Sequence, residues 1–380
     1  MRKRHQETVT TMAGKTIRVL VVDDSAVIRQ IISDIVNETP GMTVAGTASD
    51  GRKALECLDK VNPDVVTLDV QMPNMNGLDT LDAILNRRAL PIIMVSSLTK
   101  LGANITFDAL DRGALDYVAK PDYGVNAKLA MREELVRKIH TVAWMDVRRV
   151  LDIRADRKQR RATKPAAEPK PKIVPESGAE NLADKCIALG ISTGGPPALS
   201  VLFEGLRPPL PPMVIVQHMP PNFTKPLAWR LDSLSKLAIK EAESDDVLKP
   251  NHVYIAQGGK HFYLRKYGNQ VRAVVEDGAL VSSHKPSVDV LMKSAAEIYG
   301  HNCLGVIMTG MGRDGSDGCG LIRQRGGYTL GQDEKSSDVY GMNKVAFTEG
   351  NIDRQFSLSE AAGAIMQQVR KMWSREAVSV

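Results

Sequence analysis

Long apolar runs are missing from this chain of 380 residues. No stretch of about 18 apolar residues occurs, which excludes a membrane-spanning helix. The opening MRKRHQETVTTMAGKTI is basic but lacks the apolar core of a secretory signal, so a cytoplasmic location is expected. Cysteine is scarce. Cys57, Cys186, Cys303 and Cys319 show no C-x-x-C spacing, which suits reduced thiols better than a disulfide framework. GISTGG (190–195) follows an apolar run but lacks the G-x-G-x-x-G spacing and the well-placed ribose-binding acid of dinucleotide-binding enzymes. The net charge of +6 is unevenly placed. Residues 1–15 hold four basic side chains against one acidic, and residues 146–179 ten against five. The stretches with folded character are near neutral, so a nucleic-acid-reading domain is not expected.

Residues 154–178, RADRKQRRATKPAAEPKPKIVPESG, are rich in charge and proline and poor in large apolar side chains. Burial there cannot offset the entropy of ordering, so the segment reads as a flexible linker. On either side, short apolar runs alternate with helical patterns. IRVLVVD, MTVAGTA, DVVTLDV, PIIMVSS and LDYVAK precede the linker; KCIALGIS, MVIVQHM, HVYIAQ, VRAVVED and LGVIMTG follow it. This alternation predicts an α/β fold of two doubly wound, parallel-sheet domains. The expected boundaries are a basic tail over 1–15, a first domain over 16–138, a linker over 139–179 and a second domain over 180–375. Ligands of such sheets bind beyond the carboxyl ends of the strands, so the residues at those ends matter most.

In the first domain the strand ends carry Asp23 and Asp24, then Asp69, then Ser96 and Ser97, then Lys120. Three converging carboxylates call for a cation, and their hard oxygen donors suit Mg²⁺. A lysine and a hydroxyl beside them suit a phosphoryl group on a carboxylate. VVDDS, LDVQMPNMNG, VSS and YVAKP together resemble a response-regulator receiver domain of flavodoxin-like fold. The resemblance implies Asp69 as phosphoacceptor and Asp23, Asp24 and Asp69 around Mg²⁺. It also implies Ser97 and Lys120 as phosphoryl contacts and Tyr117 as the switch aromatic. Asn76 stands where that family often has Asp, and it can serve the same turn.

In the second domain GISTGGPPAL (190–199) raises the choice between a nucleophilic Ser192 and a plain turn. A serine needs a base, and the base an orienting partner. His218 follows the apolar run MVIVQ and Asp314 follows LGVIMTG, so three parallel strand ends can bring Ser, His and Asp together. The PPAL start of a helix offers backbone donors to an oxyanion. Thr193 and Met311 are the supporting candidates there, Met311 through its glycine-flanked turn. Ser287 reads as an N-cap and Ser316 as a loop residue. Cys319 has no histidine placed beside it by the pattern, and a zinc site from His218, His284 and Asp314 lacks any short-spaced ligand pair.

The order Ser, His, Asp differs from the α/β-hydrolases, which run Ser, Asp/Glu, His. GISTGGPPAL, VIVQHMPPNFT, YIAQGGKH, HKPSVDVLM and MTGMGRDGSDG instead resemble the chemotaxis protein-glutamate methylesterases, the CheB family, with Ile191 and Gln257 departing from the usual pattern. The resemblance implies a Rossmann-like methylesterase domain that hydrolyses glutamate γ-methyl esters on methyl-accepting chemoreceptors and deamidates glutamines there. It further implies activation by a CheA-type histidine kinase, Mg²⁺ for phosphorylation and no cofactor for the esterase chemistry. A DNA-binding output, a non-catalytic adaptor and a nucleotide-dependent oxidoreductase are the competing classes.

Overall fold

The computed structural model describes residues 15–97, 99–121, 125–162 and 182–373. By its contacts the chain divides into two compact units, residues 1–96 with 120–147 and residues 97–119 with 148–380. Of the expected basic tail, residues 1–14 lie outside the described residues.

The first sheet grows from a strict strand–helix alternation. It runs β1 (Ile17–Val22), α1 (Ala26–Asn37), β2 (Met42–Ala48), α2 (Gly51–Val61), β3 (Val65–Asp69), α3 (Gly77–Arg87), β4 (Ile92–Ser96), α4 (Lys100–Arg112), β5 (Asp116–Ala119) and α5 (Val125–Val142). Strand order is β2-β1-β3-β4-β5, and the registered pairs are parallel. β3 and β4 are buried at every position, as strands covered on both faces must be. Short polar side chains start the helices: Ser25, Asp50, Asn76 and Thr99 each accept an amide three residues ahead, satisfying donors that the first turn leaves open. Asn76 thus caps α3. Because β1 connects outward to β2 and then inward to β3, the sheet reverses direction between β1 and β3, which opens a crevice at their carboxyl ends.

Residues 147–162, inside the expected linker, form a helix, α6 (Val147–Ala162). Composition concealed this, because what ties α6 down is not apolar. The Arg154 side chain, 8% exposed, donates to Asp338 at 2.8 Å and to the carbonyls of Leu110 and Ala114. Buried guanidinium groups persist only where paired and hydrogen-bonded.

The second sheet contains β6 (Cys186–Ile191), β7 (Met213–Gln217), β8 (Ala238–Glu241), β9 (His252–Ile255), β12 (Cys303–Ile307), β13 (Tyr328–Gln332) and β14 (Arg354–Phe356). Its order is β14-β13-β12-β6-β7-β9-β8 and all its pairs are parallel. α7 (Gly195–Gly205), α8 (Thr224–Leu234), α9 (Val288–Tyr299), α10 (Ser316–Gln324), α11 (Met342–Thr348) and α12 (Ala361–Trp373) accompany it. α9 supplies Val288, Leu291, Met292, Ala295 and Ala296 to a core shared with Ala188, Val214 and Ile307.

One expected parallel strand is something else. VRAVVED belongs to β11 (Gln270–Glu276), paired antiparallel with β10 (His261–Tyr267) in a separate two-stranded sheet. Gly268, at φ 58°, opens the two-residue loop between them, where a left-handed first residue matches strand twist. Ser316 likewise proves to be the buried first residue of α10, not a loop residue.

Candidate functional site

The first sheet presents its acids where its direction reverses. Carboxylate oxygens of Asp23, Asp24 and Asp69 all lie within 4.8 Å of one another. The Lys120 ammonium reaches Asp23 at 2.9 Å and Asp69 at 2.8 Å. Burial pushes the Asp69 carboxyl up to about 6, with Lys120 pulling against it and Asp23 adding to the rise. Burial also raises Asp23. For Lys120 burial works against the charge, but the two acids outweigh it and hold the ammonium. One lysine therefore stands among three acids, a charge imbalance that a divalent cation with oxygen preference would offset. Ser97 sits past the end of β4 with its hydroxyl 3.3 Å from that of Thr99. Tyr117 is buried, its ring 4.7 Å from that of Phe223.

In the second sheet β6 is the first strand in sequence, β7 lies on one side of it and β12 on the other. The crevice of this sheet therefore opens beside the end of β6, where Ser192 follows Ile191. The Ser192 amide donates to Thr309 beyond β12, and the His218 amide donates to Ile191. Ser192, 4% exposed, is thus pinned between the ends of its two neighbours. Gln217 Nε2 donates to the Ser192 carbonyl at 3.0 Å and to that of His218 at 3.1 Å, tying the two turns together.

The His218 Nε2 lies 2.8 Å from Asp314 Oδ2. Its Nδ1 is buried and has no hydrogen-bond partner among the described residues. A neutral imidazole that donates from Nε2 to a carboxylate keeps its lone pair on Nδ1, the nitrogen left to act as base. Burial alone would raise Asp314, but His218 and amides at the start of α9 outweigh it and hold this carboxyl well below the usual range. The acid therefore stays ionised and fixes the tautomer.

The turn after Ser192 leads into α7, with Pro196 and Pro197 in its first turn, where a missing N–H does no harm. Gly194 takes the left-handed conformation, φ 76°, and a Cβ there would meet Asp338 at 2.7 Å. The Thr193 amide has no acceptor among the described residues, as an oxyanion donor requires. The Thr193 hydroxyl is engaged, donating to Asp116 at 2.6 Å. Met311 follows Gly310, and a Cβ on Gly310 would come within 2.7 Å of the Ser192 Cβ and 2.5 Å of the Met342 sulfur. Gly310→Ala should accordingly displace Ser192: if Ser192 is the reacting group, kcat should fall by about tenfold or more with the fold retained, as steady-state kinetics and circular dichroism would show.

Several partners escaped sequence reasoning because they lie far away along the chain. Ser287 caps α9, and it also donates to Asp314. The His284 ring stacks on His218, centroids 3.8 Å apart and 8° from parallel. Stacked imidazoles direct their in-plane lone pairs side by side rather than at a common centre, which disfavours zinc there even though donor atoms of His218, His284 and Asp314 lie within 4.8 Å. Cys319 is fully buried with its thiol against the Met292 sulfur at 3.7 Å. Burial pushes that thiol far up, so it supplies no thiolate.

Asp289 is a second buried acid, 2% exposed. It accepts the Gly318 amide at 2.8 Å. Burial first, and then the charge of Asp314, push it up to about 6. A folded-state pKa above the ordinary value means the carboxylate opposes folding at high pH, and the opposition disappears as pH falls. Asp289→Asn should therefore raise stability by about 1–2 kcal/mol at pH 8, less at pH 5, and not at all below pH ~3.8. Urea melts across that range would measure it.

Comparison with known proteins gives the family. A family model described as response regulator receiver domain matches residues 19–126, and one described as CheB methylesterase matches residues 187–365. The class is thus a response regulator with a hydrolase output. A protein-glutamate methylesterase/protein-glutamine glutaminase of Pectobacterium atrosepticum is 42% identical over 93% of this chain and 97% of its own length. A Burkholderia lata protein of the same description, numbered 3, is 41% identical over 96% and 98%. The solved catalytic domain of the Thermotoga maritima CheB methylesterase is 38% identical, covering 49% of this chain and 98% of that one at a TM-score of 0.48. At such identity across nearly the full length of the relatives, the chain belongs to the CheB family.

Proposed function

We propose that the chain hydrolyses glutamate γ-methyl esters on methyl-accepting chemoreceptors, and deamidates glutamines there, under control of phosphorylation at Asp69. The observation that carries the reading is the Asp314–His218 hydrogen bond at 2.8 Å with a buried, unpartnered Nδ1, beside Ser192 at the point where the sheet reverses. Ser192 Oγ attacks the ester carbonyl as its proton passes to His218 Nδ1. The Thr193 amide and the turn at Met311 face the oxyanion. The imidazolium then protonates the departing methoxide, releasing methanol, or for an amide the departing nitrogen, releasing ammonia. Water, activated by the same nitrogen, frees the glutamate and regenerates Ser192.

Asp23, Asp24 and Asp69 would hold Mg²⁺, which supplies charge neutralisation for phosphoryl transfer when bound. Lys120 stands ready to contact the phosphoryl oxygens, with Ser97 beyond β4 and Tyr117 as the switch aromatic. A CheA-type histidine kinase is the expected donor. Among the described residues no helix is long and apolar enough to cross a membrane, and a cytoplasmic site of action fits a substrate on the inner part of a receptor. The test is methanol release from methylated receptor membranes, with and without a small phosphodonor and Mg²⁺. Release that rises with phosphodonor supports the reading, and no release in either state overturns it.

A further inference from the structure

The carboxylate of Asp314 accepts two hydrogen bonds on each oxygen. Oδ2 takes His218 Nε2 at 2.8 Å and the Val288 amide at 2.7 Å; Oδ1 takes the Ser287 hydroxyl at 2.8 Å and the Asp289 amide at 3.1 Å. The start of α9 therefore grips the acid of the triad from 25–27 residues upstream. Of these donors apart from His218, Ser287 is the one that acts through its side chain. We infer that Ser287 is a positioning residue for the reaction, acting through Asp314 to hold the His218 ring in register with Ser192. This inference rests on the triad reading.

The hydroxyl has one proton and must choose where to spend it. An ionised carboxylate only accepts, so the proton goes to Asp314, and the lone pairs remain for the helix. The distances follow that choice: 2.8 Å to Asp314 against 3.4 Å from the Val290 amide. The cap contact is as long as that of Ser25 to the Ile28 amide, 3.4 Å, so what marks Ser287 is its short bond to Asp314. Ser287 is completely buried, so no water takes over when the hydroxyl is removed. Asp314 could then turn about its side-chain torsion, and the Nε2 it holds would turn with it. An off-register imidazole is costly, because proton transfer depends steeply on geometry.

The experiment uses the full chain and a fluorophosphonate probe that phosphonylates an activated serine with loss of fluoride, read as a maximal inactivation rate and an apparent binding constant. Ser192→Ala is the control for the triad. Ser287→Gly removes the hydroxyl while leaving an acceptable helix start, since glycine caps nearly as well; Ser287→Ala removes both. Both variants should react about tenfold more slowly at saturation with the binding constant unchanged, and Ser287→Gly should melt close to the parent. In an Asp314→Asn background Ser287→Gly should add no further loss, because the two act in series. Reaction of Ser287→Gly at the parental rate, or a full extra loss on top of Asp314→Asn, overturns the inference and leaves Ser287 as a cap. Labelling of the parent that persists in Ser192→Ala overturns the triad reading itself and this inference with it.

Discussion

Replacing Ser192 with alanine should lower methyl-ester hydrolysis by about 10⁴–10⁶ in kcat. Substrate affinity should hardly change. The side chain is small and buried in a turn that the backbone holds: its amide bonds Thr309, its carbonyl accepts Gln217 and the Gly195 amide. Alanine keeps all three bonds, so the turn and the oxyanion donors survive and only the nucleophile is lost. The residual rate should match what oxyanion donors and binding alone give, about 10³–10⁴ over water. Phosphate incorporation at the receiver should be unaffected, because Asp23, Asp69 and Lys120 form their own network on the other sheet. Methanol assays and phosphate incorporation on the same preparation separate a lost nucleophile from a damaged fold. Release persisting in the variant would make Ser192 a turn residue, and the nucleophile would have to be found elsewhere; Cys319, fully buried against Met292, is not available for that part.

The candidate site was legible because parallel strands covered on both faces are written as apolar runs, and polar side chains gather where each run stops. Ser192, His218 and Asp314 each come within seven residues of a strand end, and strand adjacency does the rest. What was not legible depends on pairings that no local pattern records. Ser287 looked like an ordinary cap until its hydroxyl was seen on Asp314, 27 residues away. Residues 154–162 looked like linker because they lack apolar side chains, yet Arg154 is buried by an ion pair with a partner 184 residues distant. VRAVVED carries enough β-branched residues to suit a parallel strand, and only its antiparallel pairing with β10 across the Gly268 turn marks it as a hairpin. Mostly polar contacts between distant segments supply the remainder, and a sequence shows their ends without showing that they meet.

Asp69→Asn should abolish phosphate incorporation from a small phosphodonor, a fall of about 100-fold or more, because an amide oxygen is too weak a nucleophile to take a phosphoryl group. The substitution preserves shape, so basal methanol release should stay within about twofold of the parent and cease to rise with phosphodonor. Asp69 is singled out among the three acids by position. It ends β3 at the point where the sheet reverses, and it shares the Lys120 ammonium with Asp23. Asp23 is just as buried and accepts the Ser25 amide at 2.9 Å, a shorter bond than the 3.3 Å one from the Gln71 amide to Asp69, so it is the more firmly held of the two. Asp24 is exposed and so lacks the dry surroundings in which a lysine and a cation stabilise developing charge most strongly. Lys120→Ala should behave differently from Asp69→Asn: phosphate should still enter, though more slowly, because the nucleophile remains while one stabilising charge is lost. It should also activate poorly, because the phosphoryl group would have no ammonium to pull against at the end of β5. If phosphate still enters Asp69→Asn at the parental rate, Asp23 or Asp24 must be the acceptor, and the direction of the switch would have to be rebuilt from β1 rather than β3.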